Sequence, residues 1–343
     1  MVQPRVTPDP PPIVAHLVAA TGRVERYDDQ KKDWVAIDPI KYFQCPSDSR
    51  VRTAPDVRCE LKTGDGSVIR LNDKTEVKLL GSSSIELHQG QLWCRSPQEA
   101  TLEVRVASTT ASPDPKAPQP TMWSAGTASM VTCTEQAKQV QVVSAEGEIN
   151  LRTAAGNERL GPGQVAEISG GQVVMPGNRV DPLLATRWMQ PLLVSRGADN
   201  AELQQRVDTL LAQIGRAKIA TFYEQEIRSL GEHAVLPLVR FIQSPLAAED
   251  PRRRSDAMRI AADLAPVWLI PDLIDLLEDR EGYVRQLAAA TLFRLTALSM
   301  NLSPPDWRRE PDEAQATAVK DWRNWWEAHR DQFPRPQVRI TRE

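Results

Sequence analysis

From Ile13 to about Met175, apolar and polar residues alternate at a period of two between turns rich in Gly, Pro, Asp and Ser. Successive side chains of an extended strand point to opposite faces, so this alternation predicts half-buried β-strands. The clearest are "VIRL" (68–71), "EVKL" (76–79), "IELH" (85–88), "LEVRV" (102–106), "QVQVV" (139–143), "EINLR" (148–152) and "QVAEI" (164–168). The turn segments "GDGS", "LNDKT", "GSSS", "HQG", "AEGE" and "GPGQ" punctuate them. Short strands at regular spacing, with no helical period between them, predict an all-β unit: an antiparallel sandwich, a solenoid or a barrel.

After Val180 the period lengthens to three and four. "NAELQQRVDTLLAQIG" sets Leu203, Val207, Leu210, Leu211 and Ile214 on one helical face, with Gly215 as its stop. "EGYVRQLAAATLFRLT" does the same with Val284, Leu287, Ala288, Thr291, Leu292 and Leu295. Pro237 in "AVLPLVRFI" and Pro271 in "WLIPDLIDLL" take equivalent places 34 residues apart (271 − 237), which predicts stacked helical hairpins with the prolines as kinks. The chain therefore divides into a Pro-rich linker (1–12), a β-domain (13–180), connecting helices (181–220) and an α-helical domain (221–343).

Two stretches interrupt the strands. Residues 38–59 read as a loop, and 107–122 form a Pro, Ser and Thr segment too polar to pack. The opening "MVQPRVTPDPPP" reads as an extended spacer, which suggests a membrane anchor upstream of residue 1.

With 42 Lys+Arg against 45 Asp+Glu, the formal charge of −3 points to no nucleic-acid partner. Candidate chemistry is sparse. The stretch "LKTGDGSVIRLNDKTEVKLL" (61–80) concentrates Asp65, Arg70, Asp73 and Lys74, but lacks the ligand offsets of a calcium loop. It reads as a hairpin, with Gly64 and Gly66 at positive φ and Arg70 on the solvated face. The histidines His16, His88, His233 and His329 are scattered, and no nucleophile motif, phosphate loop or metal-ligand spacing occurs. No catalytic, cofactor or metal residue is nominated, and the expectation is a protein that is not an enzyme. Trp322, Trp325 and Trp326 at i, i+3 and i+4 read as the cap of the helical stack, or as an interaction face. Cys45, Cys59, Cys94 and Cys133 form no CxxC, which leaves disulfides or core thiols and three pairings.

The pieces "ATGRVE" (20–25), "GDGSVIRL" (64–71), "TEVKL" (75–79), "IELHQGQLW" (85–93), "SAGTASMV" (124–131), "VQVVSAEGEINL" (140–151) and "LGPGQVAEI" (160–168) stand in the order of the FecR domain, and the β-half resembles it. That resemblance implies an extracytoplasmic module of a bacterial signalling system, and an oxidising compartment. There Cys45 would pair with Cys59 and Cys94 with Cys133. Asp279, Val284, Arg285, Ala288, Ala289 and Leu292 resemble the HEAT-repeat pattern, implying a short α-solenoid. The α-helical half departs from the C-terminal region of siderophore transducers, so iron signalling does not carry over. Together the resemblances imply a periplasmic, membrane-anchored interaction or scaffold protein, docking an envelope protein for signal transduction or assembly. The alternative is a structural protein that binds envelope carbohydrate.

Overall fold

The computed structural model describes residues 11–37, 43–107, 120–134, 139–153, 156–169, 172–175, 177–197, 200–214, 220–298 and 305–333. The Pro-rich opening up to residue 10, residues 108–119 of the Pro, Ser and Thr segment and the Gly215 stop lie outside these. The chain forms two compact units, Met1–Ser195 and Arg196–Glu343.

The first unit is built from strands β1 (Ile13–Ala20), β2 (Val24–Asp28), β3 (Asp33–Ile37), β4 (Phe43–Pro46), β5 (Arg50–Thr53), β6 (Cys59–Thr63), β7 (Val68–Leu71), β8 (Glu76–Gly81) and β9 (Ser84–Arg95). It continues with β10 (Thr101–Val106), β11 (Thr121–Ala125), β12 (Ala128–Thr134), β13 (Gln139–Glu146), β14 (Ile149–Thr153), β15 (Gly156–Leu160), β16 (Val165–Ser169) and β17 (Gln172–Val174). Residues 38–59 are thus not all loop. They carry β4 and β5, because Val51 and Thr53 point into the core while Arg50 and Arg52 alternate outward.

Pairing gives two sheets. Sheet A runs β4-β1-β6-β7-β9-β12-β13-β16-β17. Sheet B runs β3-β2-β5-β8-β9-β10-β11-β14-β15. Their inner faces meet in one core, where Val24, Val51, Val77, Ile85 and Leu87 of sheet B join Leu61, Ile69, Leu71 and Leu92 of sheet A.

Strand β9 belongs to both sheets. Residues 84–89 pair with β8, whereas 90–95 pair with β12. "HQG" is therefore not a turn but the place where the strand passes from one sheet to the other. Gly90 sits there at φ +90°, and a Cβ on it would stand 2.5 Å from the Thr75 Cα. Thr75 Oγ1 both accepts from Gln91 N and donates to Gln91 O, each at 3.0 Å, which fixes the bend. After β9 the chain returns to sheet B, so β10 lies parallel to the first half of β9. Every other strand pair is antiparallel.

Helices α1 (Pro182–Ala185) and α2 (Gln190–Ser195), joined by a 3-10 turn at Arg187–Met189, close the unit. Asp181 caps α1 by accepting from Leu183 N at 2.8 Å. Helix α1 packs on β13 and α2 on β1, so the segment crosses the outer face of sheet A. Beneath it Trp93, Ala128, Met130, Val143 and Val165 join Met189 in a second, smaller core.

The second unit contains α3 (Ala201–Ile214), α4 (Ala220–Ser229), α5 (Val235–Gln243), α6 (Pro245–Glu249), α7 (Pro251–Leu264), α8 (Ile270–Leu276), α9 (Gly282–Thr296) and α10 (Glu313–His329). Its main packings are α3 on α4, α5 on α7, α7 on α9, α8 on α9 and α8 on α10. Pro237 and Pro271 do not kink helices. Each lies in the first turn of a helix that follows a 3-10 turn, where the missing N–H has no partner to lose. Arg254 on α7 and Arg285 on α9 are buried in the stack. Arg254 pairs with Asp279 and donates to Ile242 O at 3.0 Å, while Arg285 donates to Asp279 O at 2.5 Å and Trp307 O at 3.1 Å. Gly282 starts α9 because the Arg308 backbone lies where a Cβ would be.

Candidate functional site

The outer face of sheet B carries a dense array of interacting side chains. Glu25 and Tyr27 on β2, Trp34 on β3, Arg50 and Arg52 on β5 and Glu76 on β8 share it, because the register sets Glu25 against Arg52 and Arg52 against Glu76. The Arg52 guanidinium lies 4.2 Å from the Trp34 ring centroid, and Arg50 lies 5.0 Å from Tyr27 and 5.4 Å from Trp34. The two rings meet edge to face at 5.5 Å. Glu25 bonds Arg52 at 2.7 Å and Arg23 at 2.6 Å. Burial pushes the Glu25 carboxyl up, but Arg52 and Arg23 more than offset this and hold it below its ordinary range. Farther along, Arg152 stacks on Trp123 at 4.9 Å, and Glu103 accepts from Arg105 at 2.9 Å and Ser84 at 3.0 Å. Flat rings, guanidinium planes and carboxylates fixed on strands make a rigid surface suited to polar and stacking contacts with another macromolecule. The sequence signal for it is the alternation in "RVRT", inside the loop-like stretch 38–59.

Arg70 is not on a solvated face. It is only 2% exposed, bonded to Glu60 at 2.8 Å, with its guanidinium 4.7 Å from the Trp93 ring and 3.7 Å from Met189 Sδ. Alternation does place it opposite Ile69 and Leu71, but the helical segment 182–195 covers that face. The "GDGS" turn is structural. Asp65 Oδ1 accepts from Thr63 Oγ1 and from Ser67 N, the latter at 3.0 Å. Gly66 takes φ +86°, as expected, whereas Gly64 stays outside the left-handed region. Lys74 takes the positive φ of the following turn.

The four cysteines are buried and none is in a disulfide. In the β9–β12 ladder Cys133 lies opposite Gly90 and Cys94 opposite Ser129. That offset is about 13 Å along a strand, beyond the roughly 7 Å reach of a disulfide, so Cys94 does not pair with Cys133. Cys45 and Cys59 flank β1 on opposite sides and are unbonded. Burial pushes Cys45 up to about 12 and Cys94 up to about 11, and raises Cys59 as well.

The histidines do not converge. His88 bonds Glu86 at 3.2 Å on sheet B, and His329 bonds Trp325 O at 2.7 Å in α10. Among the described residues no group of His, Cys, Asp and Glu is arranged to hold a metal ion. No described helix is long and apolar enough to cross a membrane. Of the three tryptophans of α10, Trp322 is buried and Trp325 and Trp326 are half-buried. Trp322 is 4% exposed, Trp325 stacks on His329 at 4.7 Å, and Trp326 stacks on Phe333 at 6.4 Å.

The family model described as FecR protein matches residues 49–115. The β unit contains a FecR-like domain. The matched stretch of this domain runs from β5 through β10 and so includes the strand shared by both sheets. No curated protein matches the chain. Among solved structures, two crystal structures, each described as a candidate anti-sigma factor from Parabacteroides distasonis, are similar over part of their length. One, at 1.65 Å resolution, has 15% identity and a TM-score of 0.33, covering 41% of this chain and 64% of that chain, less than two thirds of it. The other, at 2.50 Å, has 16% identity and a TM-score of 0.34, covering 49% and 73%.

Proposed function

We propose that this protein is a non-enzymatic regulatory module of a bacterial envelope signal-transduction system, which acts by docking a protein partner. The observation that carries this reading is the FecR-like domain at residues 49–115, on a sheet whose outer face holds preorganised Arg, Glu and aromatic side chains. In this reading the helical unit is a HEAT-like stack, with Arg254, Asp279 and Arg285 as the polar ladder between its hairpins. It works outside the cytoplasm, tethered to the membrane by a segment before residue 1. Free thiols are compatible with that compartment. Buried groups with raised pKa values carry almost no thiolate at neutral pH, and the thiolate is the species that oxidises.

Photocrosslinking residues placed at Trp34 and Trp123, in cells producing the full-length gene product, test the docking. One defined adduct, reproduced with the purified partner, is the expected result. Absence of an adduct from either position overturns sheet B as the docking face. A C-terminal alkaline phosphatase fusion tests the compartment: it is active if the unit is exported and inactive if it is cytoplasmic.

A further inference from the structure

We propose that β15 is an open edge that receives an acidic, extended segment of a partner protein as an added strand of sheet B. This rests on the reading of sheet B as the docking side, and names the mode and the chemistry of the contact. Among the described strands, sheet A ends in β4 and β17 and sheet B in β3 and β15. Three of these edges are blunted in ways that ordinarily stop an edge from pairing. Strand β17 is three residues long, and β4 is four and ends in Pro46. On β3 the Asp33 carboxylate accepts from Trp34 N at 2.7 Å, which takes one of its donors out of play. Strand β15 has none of these features. It pairs with β14 over its five residues without a bulge, and residues 156–159 are exposed.

The ladder fixes which backbone groups point to the open side. Val106 N donates to Pro120 O at 3.0 Å, so Met122 and Ser124 of β11 bond to β10, whereas Thr121 and Trp123 bond to β14. Thr121 and Trp123 stand opposite Arg152 and Asn150, which leaves Ile149, Leu151 and Thr153 to bond to Leu160, Glu158 and Gly156 of β15. The N–H and C=O groups of Asn157 and Arg159 therefore point away from β14, into the open edge. Their side chains lie on the outer face of sheet B, because directly opposed residues share a face: Arg159 is opposite Asn150, itself opposite Trp123, and Asn157 is opposite Arg152. Arg152 and Arg159 are both exposed, and neither forms an ion pair among the described residues; Arg152 lies over the Trp123 ring instead. An added strand would exchange hydrogen bonds with Asn157 and Arg159 and set every second side chain beside Arg159. Acidic residues at those positions supply the carboxylate that Arg159 lacks. Glu158 points to the other face and does not oppose them.

Fluorescence anisotropy on the full chain tests the edge with a labelled octapeptide that alternates Glu and Val. At low salt it should bind about tenfold more tightly than the same peptide with Lys for Glu, and R159E should reverse that preference. Only the Glu N–H groups of the probe would face β15. N-methylation of its glutamates should therefore weaken binding by about tenfold or more, and N-methylation of its valines by less than about threefold. No binding, a preference that R159E leaves in place, or equal effects of the two methylations overturns strand addition at β15. Adducts from the Trp34 and Trp123 positions alongside any of those results would strike the edge alone and leave sheet B as the docking face. Dimerisation seen by sedimentation and competed by the probe would assign the edge to a second copy of this chain, and so overturn the acidic partner.

Discussion

Replacing Gly90 by alanine tests the passage of β9 between the sheets. The backbone there has φ +90°, and the new Cβ would lie 2.5 Å from both the Thr75 Cα and its Oγ1. An L-residue with a side chain in the left-handed half of φ space costs about 1–2 kcal/mol. Forcing Thr75 away adds an overpacking cost of about 1–3 kcal/mol, since the obstacle is backbone rather than the end of a flexible side chain. Thr75 is itself fixed, with its N–H donating to Thr53 Oγ1 at 2.9 Å and its hydroxyl engaged with Gln91. The sum, about 2–5 kcal/mol, is a large part of the 5–15 kcal/mol that ordinarily holds a domain folded. For a unit of this size it lowers the melting temperature by roughly 5–15 °C. Circular dichroism of the β signal measures the shift, and thiol labelling of Cys133, opposite Gly90 in the β9–β12 ladder, should accelerate. A G90A protein that melts within about 2 °C of the parent, with Cys133 still protected, would refute the reasoning.

Other substitutions discriminate further. In the "GDGS" turn, G66A should cost about 1 kcal/mol because of φ +86°, whereas G64A, with nothing within 4 Å of its Cβ, should be neutral or slightly stabilising in urea titration. Glu224 is held down to about 2 chiefly by its bonds from Arg259, against the opposing effect of burial and with Arg228 adding to it. Its folded pKa is below the unfolded one, so its stabilisation is complete above about pH 4.5 and is lost as the pH falls towards about 2. E224Q should remove about 1–2 kcal/mol at pH 7 and flatten the acid limb of the stability curve. A limb of unchanged steepness would discount the Arg–Glu network. R254A takes the guanidinium from the half-buried Asp279, which still accepts from Glu281 N at 2.8 Å, and should destabilise the helical unit by about 2–3 kcal/mol, read as a separate melting step. An unshifted step would show that the ladder contributes nothing.

Much of the fold is legible because faces are. Ile69, Leu71, Val77 and Leu79 announce their sheet faces by alternation, and all are buried. Arg70 shows the limit. Period two says which side of a sheet a residue is on, but not whether another element returns to cover that side, and the covering segment begins 112 residues later (182 − 70). Gly90 shows a second limit. A glycine between short apolar runs signals either a turn or a close backbone approach, and only the pairing of residues on both sides distinguishes them. Cys94 and Cys133 show a third. Both are in strands that pair, yet register sets them apart, and register is invisible without the partner strand. The Arg50, Arg52, Trp34 and Tyr27 array is not legible in the sequence because a four-residue strand such as β5 has too few alternations to stand out from its flanks.

The two-sheet strand also has a mechanical meaning. In a sandwich whose layers touch only through side chains, one layer can slide past the other by repacking methyl groups. Here β9 joins the layers in series through covalent bonds, so a force drawn on an edge of sheet B reaches sheet A along the backbone at Gly90. The stretch that matches the FecR family is thus also the stretch that couples the two layers, and strain applied at one face would be felt at the other.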